Sequence, residues 1–187
     1  MAKTGLSKSY YAIYNFDEND GVTYANGGIL GNAVNASIEP EEAEENNFYA
    51  NNGIVESDGA FNGGTLTITN DSLELAPLAA IMGLTAESDG SLHFSANASV
   101  PYVGYGTIGR SRVNNVNKYR AIILCKVQFN VPVDDLATQE ETIEFTRHEL
   151  TATILRKDDA SADWKIVKDF DTESAAEAFI KTTLNIT

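Results

Sequence analysis

The chain has 187 residues, of which 43% are apolar or aromatic and 21% are charged, a composition that excludes wholesale disorder and suits one domain with a core. Its 27 acidic and 13 basic side chains give a formal net charge of −14, which works against attraction to nucleic acid or to an anionic membrane. A single cysteine excludes an internal disulfide, and no apolar run approaches the ~20 residues that cross a bilayer. We expect one domain over residues 1–187, made in a cytoplasm because the N-terminus lacks an apolar signal core.

The first third of the chain predicts a β-hairpin followed by a long acidic segment. Residues 10–16 are rich in β-forming side chains and end in a turn-prone stretch, and a second β run resumes at 22–25. Glutamates occupy five of the seven positions from Glu39 to Glu45, a density that repels itself and stays solvated. We expect an extended acidic loop or long hairpin tip over about 36–53. A divalent-metal site is the functional alternative, and it would need these carboxylates to converge around a tight turn.

Residues 61–83 join a strand pattern to a buried-helix pattern. From 65 to 69, apolar residues alternate with three threonines, as in a strand with one buried face. Asp71 offers a side-chain oxygen that suits a helix N-terminus. Pro77 fits only if the helix begins so close to it that the missing N–H is dispensable. Leu75, Leu78, Ile81 and Met82 recur at helical spacing, and we expect a helix over about 71–83 that packs across a sheet.

Three glycines in the next predicted strand have the GxGxxG spacing of a dinucleotide-binding loop: Gly104, Gly106 and Gly109. Such a site needs the glycines between a parallel strand and a helix N-terminus, so that amides and the helix dipole meet the pyrophosphate. No helical pattern follows them. We therefore favour a strand in which glycines allow a close backbone approach, after a polar surface excursion at 84–99.

Two groups of charged residues are candidate contacts between subunits. The acidic group comprises Glu39, Glu41, Glu42, Glu44 and Glu45. The basic group comprises Arg110, Arg112, Lys118 and Arg120. The basic residues most simply form a solvated strand face, and otherwise they pair with acids of a neighbouring subunit.

The strongest strand pattern covers residues 119–131. Its odd-numbered residues are apolar and predict a single core face, made of Tyr119, Ala121, Ile123, Cys125, Val127, Phe129 and Val131. Lys126 lies on the opposite, polar face.

The last third of the chain predicts two more strands and a helix. Residues 142–156 form a partner strand whose apolar parity changes near 147–149, as a bulge would cause. A short strand follows around Trp164. A C-terminal helix over about 172–183 begins at Asp171 or Thr172, either of which can cap it.

The sequence predicts no catalytic, cofactor or metal site, and we expect a protein that is not an enzyme. His93 lies in a polar loop and His148 in a strand, and neither has a nucleophile motif beside it. With 27 acidic residues, carboxylate pairs arise by chance and do not indicate a glycosidase.

Three stretches, in chain order, span nearly the whole sequence. The first is YANGGILGNAVNASIEP with NNFYANN, and the second is GTLTITNDSLELAPLAAIMG. The third and most specific is YVGYGTIGRSRVNNVNKYRAIILCKVQF, which runs on to WKIVKDFDTESAAEAFI. Together they resemble the major tail (tail tube) proteins of long-tailed bacteriophages and prophages of Gram-positive bacteria. Pro77 and the polar insert at 84–99 depart from that pattern.

The resemblance implies a mainly β fold, a phage tail-tube-like β-sandwich with a flanking α-helix, assembled into hexameric rings that stack into a hollow tube for genome delivery. It implies a virion tail location, with assembly in the host bacterial cytoplasm. It also implies contacts with the tape measure protein, the tail terminator and the distal tail or baseplate proteins. DNA would pass through the lumen transiently and without sequence preference, and an acidic chain suits this because like charges prevent sticking.

Two other functions remain open from the sequence. The inner tube of a contractile phage-like particle would use the same fold. A monomeric β-sandwich carbohydrate-binding module would need an exposed aromatic platform, whereas the chain has one tryptophan, and the apolar pattern around Trp164 is typical of a core.

Overall fold

Strands dominate the computed structural model, which describes residues 2–42, 48–50, 53–56, 61–85, 87–95, 97–113, 115–133 and 148–186. The strands are β1 (Ala2–Asp17), β2 (Gly21–Glu42), β3 (Phe48–Ala50), β4 (Gly53–Glu56), β5 (Phe61–Asn70), β6 (Val103–Val113), β7 (Val116–Phe129), β8 (His148–Leu155) and β9 (Lys165–Phe170). The helices are α1 (Leu75–Met82) and α2 (Glu173–Thr183). The expected mainly β fold with flanking helices is therefore confirmed.

Seven strands form one antiparallel sheet in the order β6-β1-β2-β5-β8-β7-β9, and an additional pairing joins the end strand β6 to β7, the last strand but one. Two long strands take part in both halves of this sheet. β2 pairs first with β1 and then with β5, and β7 pairs with β6 on one edge and with β9 and β8 on the other. We call β9-β7-β6-β1 the first half-sheet and β2-β5-β8 the second half-sheet.

Apolar side chains form two buried clusters, one on each side of the first half-sheet. The larger cluster collects residues of both half-sheets, including Tyr105 of β6 and Leu66 of β5, and α1 adds Met82 to it. The smaller cluster lies between the first half-sheet and α2, where Ile108 meets Ile180. The central parts of β1, β6 and β7, residues 9–12, 103–108 and 123–127, are thus buried on both faces.

Helix α1 begins at Leu75, later than the expected start near residue 71. The carboxylate of Asp71 does not cap the helix, because it accepts a hydrogen bond from Asn32 Nδ2 at 2.8 Å. Glu74 occupies the N-cap position without a side-chain hydrogen bond. Pro77 is then the third helical residue, where a missing N–H leaves no intrahelical bond unmade.

Helix α2 matches the expectation closely. It begins at Glu173 and ends at Thr183, and Thr172 is its N-cap. The Oγ1 atom of Thr172 accepts a hydrogen bond from the backbone N–H of Ala175 at 3.3 Å.

The prediction that β7 has a single core face was wrong. Ala121 and Ile123 belong to the cluster under α2, whereas Leu124, Val127 and Phe129 belong to the cluster between the half-sheets. Between the last two pairs with β6, β7 advances three residues and β6 only two, which is a β-bulge. Before the bulge, the even-numbered Leu124 faces the cluster between the half-sheets. After the bulge, the odd-numbered Val127 and Phe129 face that cluster.

Of the two expectations for about 36–53, an acidic loop or a long hairpin tip, the loop was wrong for the first part of the segment. Strand β2 continues to Glu42 and pairs with β5, with Glu39 opposite Thr65 and Glu41 opposite Gly63. Beyond it, β3 and β4 pair with each other in a separate two-stranded sheet. The rest of the expected loop, Glu44 and Glu45 included, lies outside the described residues.

Strand β8 confirms part of the predicted partner strand. Leu150, Ala152 and Ile154 are buried, as their shared parity indicated. Residues 142–147 lie outside the described residues. The bulge was expected near 147–149, and the two described residues of that stretch, His148 and Glu149, pair with β5 without a shift in register.

Candidate functional site

In the part of the chain that the structure describes, the first half-sheet has one free edge at β9 and one that is free only along the N-terminal part of β1. β9 pairs with β7 alone. At the other side, the N-terminal part of β1 pairs with β6 from Ala2 onwards, whereas its pairing with β2 begins only at Lys8. A row of backbone N–H and C=O groups therefore points outward on each side of the same sheet. Such edges are templates for pairing with another chain.

The acidic group lies on the second half-sheet. Glu39, Glu41 and Glu42 are exposed on β2, and Glu39 accepts a hydrogen bond from Ser37 Oγ at 3.0 Å. None of the three forms an ion pair with another described residue. These three negative charges lie close together on one strand, and no described residue of the same copy neutralises them.

Two of the four predicted basic contacts are paired within their own chain. Arg120 donates to Asp169 twice, from Nε at 2.7 Å and from Nη2 at 2.8 Å. These bonds raise the pKa of Arg120 and lower the pKa of Asp169. Lys118 makes a second ion pair with Asp171, so both pairs tie β7 to β9 or to the residue following it.

The other two basic residues lie near the turn between β6 and β7. The Arg110 guanidinium stands 6.0 Å from the centre of the Tyr119 ring. Arg112 is exposed opposite Ala2 and forms no ion pair with a described residue. Arg112 is thus the member of the group that is best placed to meet an acidic partner.

Two of the three glycines of β6, Gly104 and Gly106, receive side chains, whereas the approach expected from the sequence was one of backbones. A Cβ at Gly104 would lie 2.6 Å from Tyr24 Cε1 and 2.7 Å from Leu184 Cδ2. A Cβ at Gly106 would lie 2.6 Å from Ile180 Cγ2. The space a phosphate would need is therefore filled by α2, the residue following it and Tyr24, and the GxGxxG spacing here serves helix packing.

Sequence reasoning missed an ion pair at the bulge of β7. Lys126 was expected on a polar face, but it is only 8% exposed. Its Nζ donates to Asp158 Oδ2 at 2.6 Å and lies 4.2 Å from the centre of the Tyr102 ring. The Tyr14 hydroxyl donates to the same carboxylate oxygen at 3.0 Å. The hydrogen bond from Lys126 lowers the pKa of Asp158. The alternation of β7 placed Lys126 on the polar face, and only knowledge of the bulge could have indicated that it is buried.

The remaining candidates for chemistry are spread over the surface. His93 is exposed, with Nε2 3.2 Å from Ser91 Oγ. Among the residues described, no group of three or more His, Cys, Asp or Glu side chains is placed to hold a metal ion. A shallow cavity of about 260 Å³ between α1 and the end of β7 has an apolar lining that includes Met82, Phe94 and Val131.

Trp164 does not form an open aromatic platform. Its ring stacks on Phe61 with centres 4.4 Å apart and planes 2° from parallel. The Lys165 ammonium lies 5.5 Å from the centre of the same ring. A sugar would have to displace these neighbours to stack on Trp164.

No protein-family model matches the chain, and no curated protein matches it significantly. Neither helix of the described chain has the length and apolar character needed to cross a membrane. The candidate site is therefore defined by its geometry: the free edge of β9, the free N-terminal part of the β1 edge, the glutamates of β2 and the arginines beside the turn from β6 to β7.

Proposed function

We propose that this chain is a tube-forming structural subunit, the major tail protein of a long-tailed phage or prophage. Its copies would join into hexameric rings, and the rings would stack into a conduit for DNA. The resemblance of three stretches of the sequence suggested this function. The observation that carries it furthest is that the outer edge of β9 and the N-terminal part of the β1 edge, on opposite sides of the first half-sheet, have no strand partner in the described chain.

The directions of the strands support ring formation. Each neighbouring pair in β9-β7-β6-β1 is antiparallel, so β9 and β1 run in opposite directions. If copies are related by rotation about an axis along the strands, β9 of one copy meets β1 of the next in an antiparallel pair. One edge meets a different edge, so the contact is heterologous, and a heterologous contact closes into a ring when the rotation permits.

The first test is the assembly state of the full-length wild-type chain. Negative-stain electron microscopy and light scattering over a range of concentrations should show rings or hollow tubes. A chain that stays monomeric, with or without a preformed tail tip, contradicts the proposal. A monomer that binds glycans would favour the carbohydrate-binding module instead.

Proline substitutions test whether the β9 edge makes the ring contact. In an antiparallel strand, backbone N–H groups alternate in direction, so one of Val167→Pro and Lys168→Pro removes an outward N–H and the other breaks the pairing with β7. The variant that keeps the wild-type melting temperature should lose its rings. Val133→Pro, at a residue that is 87% exposed and outside the strands, is the control. Normal rings from both β9 variants would refute an edge contact through β9.

A further inference from the structure

The two ends of β1 carry opposite charges. At its C-terminal end, the turn into β2 presents Asp17, Glu18 and Asp20, all exposed. At its N-terminal end, Ala2 pairs with Arg112, beside the turn from β6 to β7. A strand of 16 residues separates them, which is about 50 Å at the usual rise. We call these the acidic turn (residues 17–20) and the basic turn (residues 110–113, 115 and 116, where β6 ends and β7 begins).

Each turn also exposes one apolar side chain. Phe16 is 43% exposed next to the acidic turn, and Val116 is 55% exposed within the basic turn. Neither Glu18 nor Asp20 forms an ion pair with a described residue, and Arg112 forms none either. The chain thus presents two surfaces of opposite charge, each with one exposed apolar side chain. The distance between them prevents contact within one copy.

We propose that copies of this chain contact one another head to tail along the strand direction, with the acidic turn of one copy seated on the basic turn of the next. This inference rests on the proposed function and assigns the contact between stacked rings. A chain with a formal net charge of −14 repels its own copies, so stacking needs a place where opposite charges meet. Because the two surfaces differ, the contact is heterologous and can repeat without limit along an axis.

Other acids of the chain fit this contact less well. Glu39, Glu41 and Glu42 lie on the second half-sheet, toward the same end as the basic turn, so stacking one copy on another does not bring them to it. They would instead repel the acidic turn of an incoming copy. This repulsion favours a register in which the acidic turn meets the arginines and not the acidic strand.

Charge reversal and rescue test the contact in the full-length chain. Glu18→Lys and Arg112→Glu each place like charges across the contact, and each should raise the concentration at which half of the protein sediments as tubes by about tenfold. The combined variant restores opposite charges and should return to within about threefold of the wild-type value. Asp17 is left unchanged because its carboxylate accepts the N–H of Asn19 at 2.8 Å and shapes the turn.

Matched controls use exposed charges outside both turns. Glu149→Lys and Arg156→Glu make the same changes in charge at exposed positions and should not alter assembly. Melting temperatures identify any variant that is simply less folded. Two results would overturn this inference alone, provided that the wild-type chain forms tubes. In the first, the single variants assemble like the controls. In the second, the combined variant is as defective as the two single variants together. A wild-type chain that forms no rings or tubes overturns the proposed function and this inference with it.

Discussion

Adding one methyl group to β6 separates the two interpretations of its glycines. Gly104 and Gly106 lie under Tyr24 and α2, whereas the nearest atom to a Cβ at Gly109 is the Arg120 carbonyl oxygen at 4.0 Å. Gly104→Ala and Gly106→Ala should therefore destabilise the fold, and Gly109→Ala should not. The third substitution is a control in the same strand with the same chemical change.

The distances set the size of the effect. A Cβ at Gly106 would lie 2.6 Å from Ile180 Cγ2. Carbon atoms rest about 3.5–4.0 Å apart, so the helix must move by about 1 Å. Overpacking a core costs about 1–3 kcal/mol, and removing a glycine from a strand returns about 0.5–1 kcal/mol. The net loss is about 1–2 kcal/mol, or about 2–8 °C in melting temperature for a chain of this size.

Thermal unfolding followed by circular dichroism measures this difference. We expect lower melting temperatures for Gly104→Ala and Gly106→Ala, and a melting temperature for Gly109→Ala that is unchanged or raised by about 1–4 °C. Hydrogen exchange should locate the loss at the amides of α2, because that helix is displaced. If all three variants have the same melting temperature, the packing of α2 is not the reason why glycine is needed at Gly104 and Gly106.

Three further substitutions test the remaining contacts. Asp158→Asn removes the acceptor of Lys126 and should cost about 1–2 kcal/mol near neutral pH in urea unfolding. Because the pKa of Asp158 is lowered in the fold, the stabilisation that its carboxylate gives is present above about pH 4 and is lost as the pH falls. The difference in free energy of unfolding between wild type and Asp158→Asn should therefore shrink in acid, and a difference that stays constant with pH would contradict this. Thr172→Ala removes the N-cap of α2 and should cost about 0.5–2 kcal/mol by the same measurement, while Thr172→Ser should retain most of it. Phe129→Ala, in the cluster between the half-sheets, should cost about 3–5 kcal/mol in thermal or urea unfolding, and a cost below about 1 kcal/mol would mean that the residue is not packed as described.

Local patterns sufficed where a single neighbouring contact decides the structure. The cap, apolar spacing and end of α2 all lie within the helix itself, and its bounds could be predicted from the sequence. The start of α1 could not, because Asp71 is engaged by Asn32, a residue 39 positions earlier in the chain. The same limit explains the acidic segment: five glutamates in seven positions suggested a loop, but pairing with β5 extends β2 to Glu42. Charge patterning cannot show a strand partner that is distant in sequence.

Strand β7 is the clearest case, and the proposed assembly depends on it. Alternation predicts one buried face only when a strand keeps the same surroundings along its length, whereas β7 changes partner on one edge. Its residues Tyr119–Leu124 pair with β9, and its residues Lys126–Phe129 pair with β8. The bulge between these two parts turns Lys126 inward, where Asp158 and two tyrosine rings replace water around its ammonium group. The part of β7 before the bulge pairs with β9, which has a strand partner on one side only in the described chain, and the proposed ring relies on the other side of β9.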